Sequence, residues 1–109
     1  MPRFILGGDA TRLRFILEQD SGVVTEEIVT APAKERLEGV LIATWLRTQG
    51  VSWSSLSDIR VLVLPHSHTS VRVLLTIARA AAWYEGISFR EVPAHDLTVD
   101  SAEALLSVR

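Results

Sequence analysis

The chain has 109 residues, 48% of them hydrophobic, and a formal net charge of −2 at pH 7. This length allows one domain with one core, and the apolar content excludes a disordered tail. The slight negative charge argues against general binding to phosphate backbones, which requires clustered cations. There is no cysteine, which excludes disulfides and thiolate metal sites. No apolar run reaches the roughly 20 residues that span a bilayer. We therefore expect a soluble, cytoplasmic α/β domain without membrane contact.

The first third of the chain predicts three strands. They cover residues 3–8, 12–19 and 23–31, and the second strand alternates between an apolar face and a mixed one. The sequence Asp-Ser-Gly at residues 20–22 is typical of a tight turn, so the second and third strands should form an antiparallel hairpin.

The remainder alternates between helices and strands. A helix is predicted over 33–49, with Pro32 in its first turn and Gly50 at its end. A loop over 51–59 leads into a buried strand at 60–65. A second helix over 70–85 is capped by Thr69 or Ser70 and stopped by Gly86. A fifth strand at 87–92 and a short helix at 100–108 complete the order βββαβαβα.

Both long helices are apolar around more of their circumference than one core-facing stripe requires. In the second helix, Arg72, Thr76, Arg79 and Trp83 share one side, and almost every other position is apolar. Two explanations stay open: the helices are covered on both sides within the domain, or the outer side binds another chain. We favour an interface with another chain. Its predicted residues are Leu37, Leu41, Trp45, Leu74, Ala78, Ala81 and Ala82.

The segment Leu-Pro-His-Ser-His-Thr-Ser-Val-Arg, residues 64–72, joins the fourth strand to the second helix. His66 and His68 are candidate metal ligands, which His95 and Asp96 would have to complete. Ser67 beside a histidine suggests nucleophilic catalysis, but no strained Gly-x-Ser-x-Gly turn is present. The simpler interpretation is that the hydroxyl groups of the segment cap the helix, so we predict neither a metal nor a catalytic residue here.

Asp9, at the end of the first strand, is the other candidate for chemistry. Ribonuclease H-like nucleases place an acid there and hold two metals with further carboxylates. Glu35 or Glu38 could supply a second carboxylate, but the fourth strand ends in Pro65 and His66, with no acid. The simpler interpretation is a turn residue bonded to its own backbone.

In its motifs the chain resembles TsaB, a subunit of the bacterial machinery that makes threonylcarbamoyl-adenosine in tRNA. This family begins with a strand that runs into an Asp-Thr-Ser-Thr-like turn, and Asp9 and Thr11 match it. The Ser-Leu-Ser-Asp-Ile segment at 55–59 matches the family before its fourth strand. In the family's Gly-Pro-Gly-Ser-Phe-Thr-Gly-hydrophobic-Arg motif, the matches are Pro65, Ser67, Thr69, Val71 and Arg72.

The departures fall on the motif's glycines, which are replaced by Leu64, His66 and Ser70, while His68 stands for its phenylalanine. Glycines allow a backbone to approach phosphate closely. Leu64–Arg72 therefore reads as a degenerate phosphate loop. The resemblance covers nearly all of this chain but only the first half of a typical member, so we expect residues 1–109 to form a single lobe. A third option is that the chain is a fragment or an engineered truncation of a longer protein.

The resemblance implies a ribonuclease H-like or actin-like lobe with a mixed five-stranded sheet in the order 3-2-1-4-5. It also implies a non-catalytic scaffold without a cofactor, which forms a homodimer or pairs with a TsaD-like protein through the two long helices and meets tRNA only indirectly. The alternative is a single-lobe protein that binds a nucleotide, metal or other ligand through Asp9 and residues 64–72.

Overall fold

A computed structural model describes residues 2–29, 37–95 and 97. The strands are β1 (Arg3–Gly8), β2 (Arg12–Gln19), β3 (Gly22–Val29), β4 (Asp58–Val63) and β5 (Ser88–Pro93), and the helices are α1 (Glu38–Thr48) and α2 (His68–Glu85). The strands form one sheet in the order β3-β2-β1-β4-β5. β1 pairs antiparallel with β2 and parallel with β4. The predicted fold class and strand order are confirmed.

Most element boundaries differ slightly from the predicted ones. β4 begins at Asp58 instead of residue 60, because Asp58 and Ile59 already pair with Arg3 and Phe4 of β1. A single 3₁₀ turn, Trp53–Ser55, lies inside the predicted loop. β3 and β5 are each displaced by one or two residues. Both glycines predicted to stop the helices, Gly50 and Gly86, have positive φ angles.

α1 begins later than predicted. Leu37 has φ −102° and ψ 78°, outside helical geometry, and α1 begins after it, at Glu38. Residues 30–36 and the predicted terminal helix lie outside the described residues. α1 is fixed to the sheet by a hydrogen bond that the Trp45 indole donates to the carboxylate of Glu26, at 2.9 Å.

The two helices contribute to a core on one face of the sheet. Trp45 stacks on Phe4 with ring centroids 5.9 Å apart and lies 5.1 Å from the ring of Phe15. From α2, Leu74 and Ala78 join the same cluster and are fully buried. This face accounts for the apolar side of β2 in the predicted alternation.

The opposite face combines apolar packing with ion pairs. Ile5 and Ile16 are buried there together with Leu97. The space for Leu97 exists because β1 has Gly7 at this point: a Cβ on Gly7 would lie 2.7 Å from Leu97 Cδ2. Arg3 bonds Glu18 on this face, and Arg60 donates a 2.7 Å hydrogen bond to Asp58.

Candidate functional site

The candidate site residues that follow β1 and β4 lie at one edge of the sheet, where the carboxyl ends of the two strands meet. The two strands are parallel neighbours, so the residue after β1 and the segment after β4 emerge at the same edge. Asp9 follows β1, and the degenerate phosphate loop follows β4. Asp9 and the segment Leu64–Arg72 therefore lie at the same edge of the sheet. What it can do depends on whether its polar groups are free.

The Asp9 carboxylate is fully engaged by its own turn. Oδ1 accepts hydrogen bonds from the backbone N–H groups of Thr11, at 3.0 Å, and Arg12, at 2.8 Å. Oδ2 accepts two more from the Arg12 guanidinium, at 3.0 and 2.7 Å. Partial burial opposes ionisation, but these donors outweigh it and lower the pKa of Asp9. The interpretation of Asp9 as a turn residue is therefore supported, with Arg12 as a partner that the sequence did not indicate.

The segment after β4 does not form a phosphate cradle. Leu64, at the first glycine position of the motif, is buried against Val71 and Leu97 in the second cluster. Among the described residues, no residue other than glycine has a positive φ angle. The backbone from Leu64 to Arg72 therefore does not use the conformations that glycines would allow. Pro65 and His66 form a plain exposed turn instead.

The helix cap differs from the prediction. α2 begins at His68 with Ser67 at the N-cap, so Thr69 and Ser70 lie in the first turn and do not precede it. The Ser67 side chain makes no capping bond; its backbone carbonyl accepts the N–H of Val71 at 2.9 Å. Ser70 is buried, because the first turn of α2 rests on the sheet, whereas Arg72 is exposed.

The histidines remain separate surface groups. His66 and His68 are exposed, and within the described part of the chain no three potential ligands converge on a metal position. Asp96 lies outside the described residues. His95 borders a shallow depression of about 300 Å³ between the ends of β4 and β5, whose other lining residues are apolar: Val63, Pro65, Pro93 and Ala94. Glu38, the second acid of the nuclease hypothesis, is 4% exposed in the first turn of α1.

Several predicted interface residues are core residues. Trp45, Leu74, Ala78 and Ala82 are at most 5% exposed within the single chain. They face the sheet, so they cannot form the outer side of either helix, and their assignment to that side was wrong. Leu41 and Ala81 are half-buried against the core, and Leu37 is 70% exposed. The interface itself remains a prediction, and any contact must use other positions.

The outward positions form what we call the outer helix face. Val40 is 59% exposed on α1, and Trp83 and Tyr84 are 85% and 80% exposed near the end of α2. Val73 is half-buried on α2, whereas the half-buried Ile77 packs against the core. From the sequence, Trp83 is expected on the polar side of α2, and Leu74, Ala78 and Ala82 on its outer side. In the structure the two sides are exchanged: Leu74, Ala78 and Ala82 face the core, and Trp83 faces solvent. The outer helix face consists of Leu37, Val40, Val73, Trp83 and Tyr84.

Solved structures of YeaZ-type proteins are similar to the fold of this chain. YeaZ from Pseudomonas aeruginosa superposes with a TM-score of 0.73 at 17% sequence identity, over 98% of this chain and 51% of that one. This chain shares the fold of YeaZ. YeaZ is a homologue of TsaB, so the resemblance read from the motifs is confirmed at the level of the fold.

Two further structures agree. An uncharacterised protein with similarity to peptidase YeaZ, also from P. aeruginosa, matches with a TM-score of 0.70 at 17% identity, over 98% of this chain and 49% of that one. RuvC of T. thermophilus, in complex with a Holliday junction substrate, matches with a TM-score of 0.58 at 15% identity, over 99% and 71%. The chain spans about half the length of the two YeaZ-type proteins.

No protein-family model matches the sequence, and no curated protein matches it. At identities of 15–17% the likeness to the three structures shows a shared fold. No helix of the described residues has the length and hydrophobicity to cross a membrane.

Proposed function

We propose that this chain is a non-catalytic scaffold or dimerisation lobe resembling TsaB. It would support a TsaD-like partner in the threonylcarbamoyl-adenosine modification of tRNA, in the cytoplasm, without contacting tRNA itself. The observation that carries the proposal is the outer helix face, where Trp83 and Tyr84 on α2, Val40 on α1 and Leu37 just before α1 are at least 59% exposed. Exposed apolar groups of this size are typical of protein interfaces.

The state of Asp9 and the loop supports the non-catalytic part of this proposal. Both oxygens of the Asp9 carboxylate already accept hydrogen bonds, from the Arg12 backbone N–H and from its guanidinium. In the segment after β4, the position of the first glycine in the family's phosphate-binding motif holds Leu64, which is buried in the core. A phosphate group would have to displace these contacts before binding at this edge.

The association is tested by light scattering over a concentration series, first alone and then with a TsaD-like protein. We expect a dimer or a mixed complex. Val40→Glu should dissociate it, because a carboxylate would be desolvated at the contact. Val29→Glu is the matched control: this valine is 78% exposed on β3, and its side chain lies on the other face of the sheet, beside Arg12.

Persistence of the complex in Val40→Glu, with the same affinity as in the control, would contradict the outer helix face as the contact.

The ligand-binding alternative is tested separately by calorimetric titration of ATP·Mg²⁺ and of Zn²⁺. We expect no saturable uptake. Binding that Asp9→Ala abolishes would favour the alternative.

A further inference from the structure

β3 is an edge strand whose outer side is open. β2 pairs with its inner side over eight consecutive residue pairs without a bulge, and no strand of the described residues pairs with its outer side. An edge of this kind presents a row of backbone N–H and C=O groups without partners, to which an extended chain can bind. At eight residues, β3 is long enough to hold such a segment.

The other edge strand, β5, carries features that protect an exposed edge from pairing. It is six residues long and ends at Pro93, which has no backbone N–H to donate. Arg90 and Glu91 are exposed on it, and Arg79 of α2 reaches across to bond Glu91. β3 has no proline, lysine or arginine. Of the two edges, the outer edge of β3 is therefore the better suited to binding another strand.

The side chains of β3 indicate which kind of segment fits this edge. Both ends of the strand carry exposed valines: Val23 and Val24 are 47% and 38% exposed, and Val29 is 78% exposed. Glu26 and Glu27 are exposed between them. An added strand would thus be favoured by β-branched side chains opposite the valines and by cations opposite the glutamates.

Both carboxylates retain acceptor capacity for such cations. Oε1 of Glu26 accepts the bond from the Trp45 indole at 2.9 Å. Oε1 of Glu27 lies 3.6 Å from a guanidinium nitrogen of Arg12 and of Arg14, beyond direct hydrogen bonding. Because a carboxylate offers about four lone-pair sites, a cationic side chain can bond to either glutamate without displacing its present partners.

The same two glutamates disfavour other occupants. If two copies of this chain paired antiparallel through the middle of β3, the glutamates of both copies would meet near the two-fold axis. Like charges opposite each other on neighbouring strands are destabilising. An acidic segment meets the same repulsion, so the charge makes an otherwise general edge selective.

We infer that the outer edge of β3 binds an extended, basic segment of another protein, which enlarges the sheet by one strand. Main-chain hydrogen bonds to β3 supply the affinity, and pairs with Glu26 and Glu27 supply the selectivity. The site uses no residue of the outer helix face, so it is independent of the proposed function.

Two fluorescent peptides of the length of β3 test the site. Both have valine and threonine at their ends; one has two arginines at its centre and the other has two glutamates there. In anisotropy titrations at low salt, the arginine peptide should bind about tenfold more tightly than the glutamate peptide. Its binding should slow the hydrogen exchange of alternate β3 amides, measured by NMR, because successive residues of a strand direct their N–H groups to opposite edges.

Glu26→Gln is the matched variant, because its amide oxygen still accepts the Trp45 bond while the charge is lost. It should reduce the preference for the arginine peptide at least about twofold. Val40→Glu, on the outer helix face, is the control and should leave the binding site on β3 unchanged.

Tighter binding of the arginine peptide with protection of alternate β3 amides supports the inference. Absence of binding, equal binding of the two peptides, protection of amides outside β3, or a preference that Glu26→Gln does not reduce overturns it. A chain that binds the arginine peptide at β3 but ignores a TsaD-like protein supports this inference while the proposed function fails.

Discussion

At the scale of single residues, the Asp9 turn shows how a position with catalytic precedent becomes structural. Four hydrogen bonds reach one carboxylate, and three of them come from Arg12, one from its backbone N–H and two from its guanidinium. The motif predicted the turn, because Asp before a tight turn bonds nearby N–H groups. It did not predict the bonds from the guanidinium, because the sequence does not say which way the Arg12 side chain at the start of β2 will point.

Removing this carboxylate should cost stability. Asp9→Ala leaves the N–H groups of Thr11 and Arg12 without their acceptor, and we expect a loss of about 1–2 kcal/mol in the free energy of unfolding at pH 7. The Arg12 side chain is 42% exposed, so solvent screens the ion pair and it contributes little of this loss. Asp9→Asn keeps a neutral acceptor and should lose less. Urea unfolding measures both, and equal losses would show that the charge, not the acceptor, matters.

Gly7 permits the packing of Leu97 on the sheet. An added Cβ would lie 2.7 Å from Leu97 Cδ2 and 2.9 Å from Leu62 Cδ1. Gly7→Ala should therefore destabilise the fold by about 1–3 kcal/mol, the cost of overpacking. Gly39→Ala is the control: it meets open space in α1 and should stabilise by up to about 1 kcal/mol. A neutral Gly7→Ala in thermal unfolding would mean that Leu97 moves aside freely.

At the scale of elements, periodicity identified both helices but not which of their sides is covered. α2 is apolar almost all round, and its helical wheel alone offered two sides for the core. The sheet decides: Leu74, Ala78 and Ala82 face Phe4 and its neighbours, and Val73, Thr76 and Ala80 do not. The sequence also did not predict that α1 begins at Glu38. Leucine is a residue type that favours helices, and only the backbone angles of Leu37 show that it is not helical.

A pair of substitutions on α2 separates the two sides. Ala78 is fully buried, so Ala78→Glu places an unpaired carboxylate in the core and should cost at least about 3 kcal/mol. Ala80→Glu lies two positions away on the exposed side and should leave the free energy of unfolding within about 0.5 kcal/mol. Chemical denaturation of a dilute sample measures both. A well-folded Ala78→Glu protein would contradict the assignment of the core.

The bond between Trp45 and Glu26 ties α1 to an edge strand. Glu26→Ala leaves the indole N–H of a 95%-buried tryptophan without its acceptor, since Trp45 is only 5% exposed. We expect a loss of about 1–2 kcal/mol. Glu26→Gln retains an amide oxygen at the same place and should be nearly neutral. Equal stability of the alanine and glutamine variants would show that water replaces the carboxylate.

At the scale of the whole molecule, acid stability follows from paired carboxylates. The bond from Arg3 lowers the pKa of Glu18, and the donors around Asp9 lower the pKa of that group. A carboxyl with a lower pKa in the folded than in the unfolded state stabilises the fold fully above its unfolded value, near 4. That contribution is lost as the pH falls through the folded value.

Glu18→Gln should accordingly lower stability at pH 7 and have a smaller effect at pH 3, below the unfolded-state pKa, where the stabilisation from the folded carboxylate is already reduced. Unfolding by urea at the two pH values measures the difference. Gln19→Glu is the control: it adds a carboxylate at the next position of β2. It therefore reports the effect on stability of a carboxylate that is not placed to pair with Arg3. A penalty that is the same at both pH values would contradict the role of the Arg3 pair.

The parallel pairing of β1 with β4 also determines how the chain can fold. β1, β2 and β3 are consecutive and pair through local turns, so this meander forms from short-range contacts. Arg3 finds Asp58 only after α1 and the following loop have been made, so the helix-facing core around Phe4 stays uncovered until then. During synthesis the nascent meander therefore presents a bare apolar sheet beside an open strand edge, and this interval is when the chain most needs protection from aggregation.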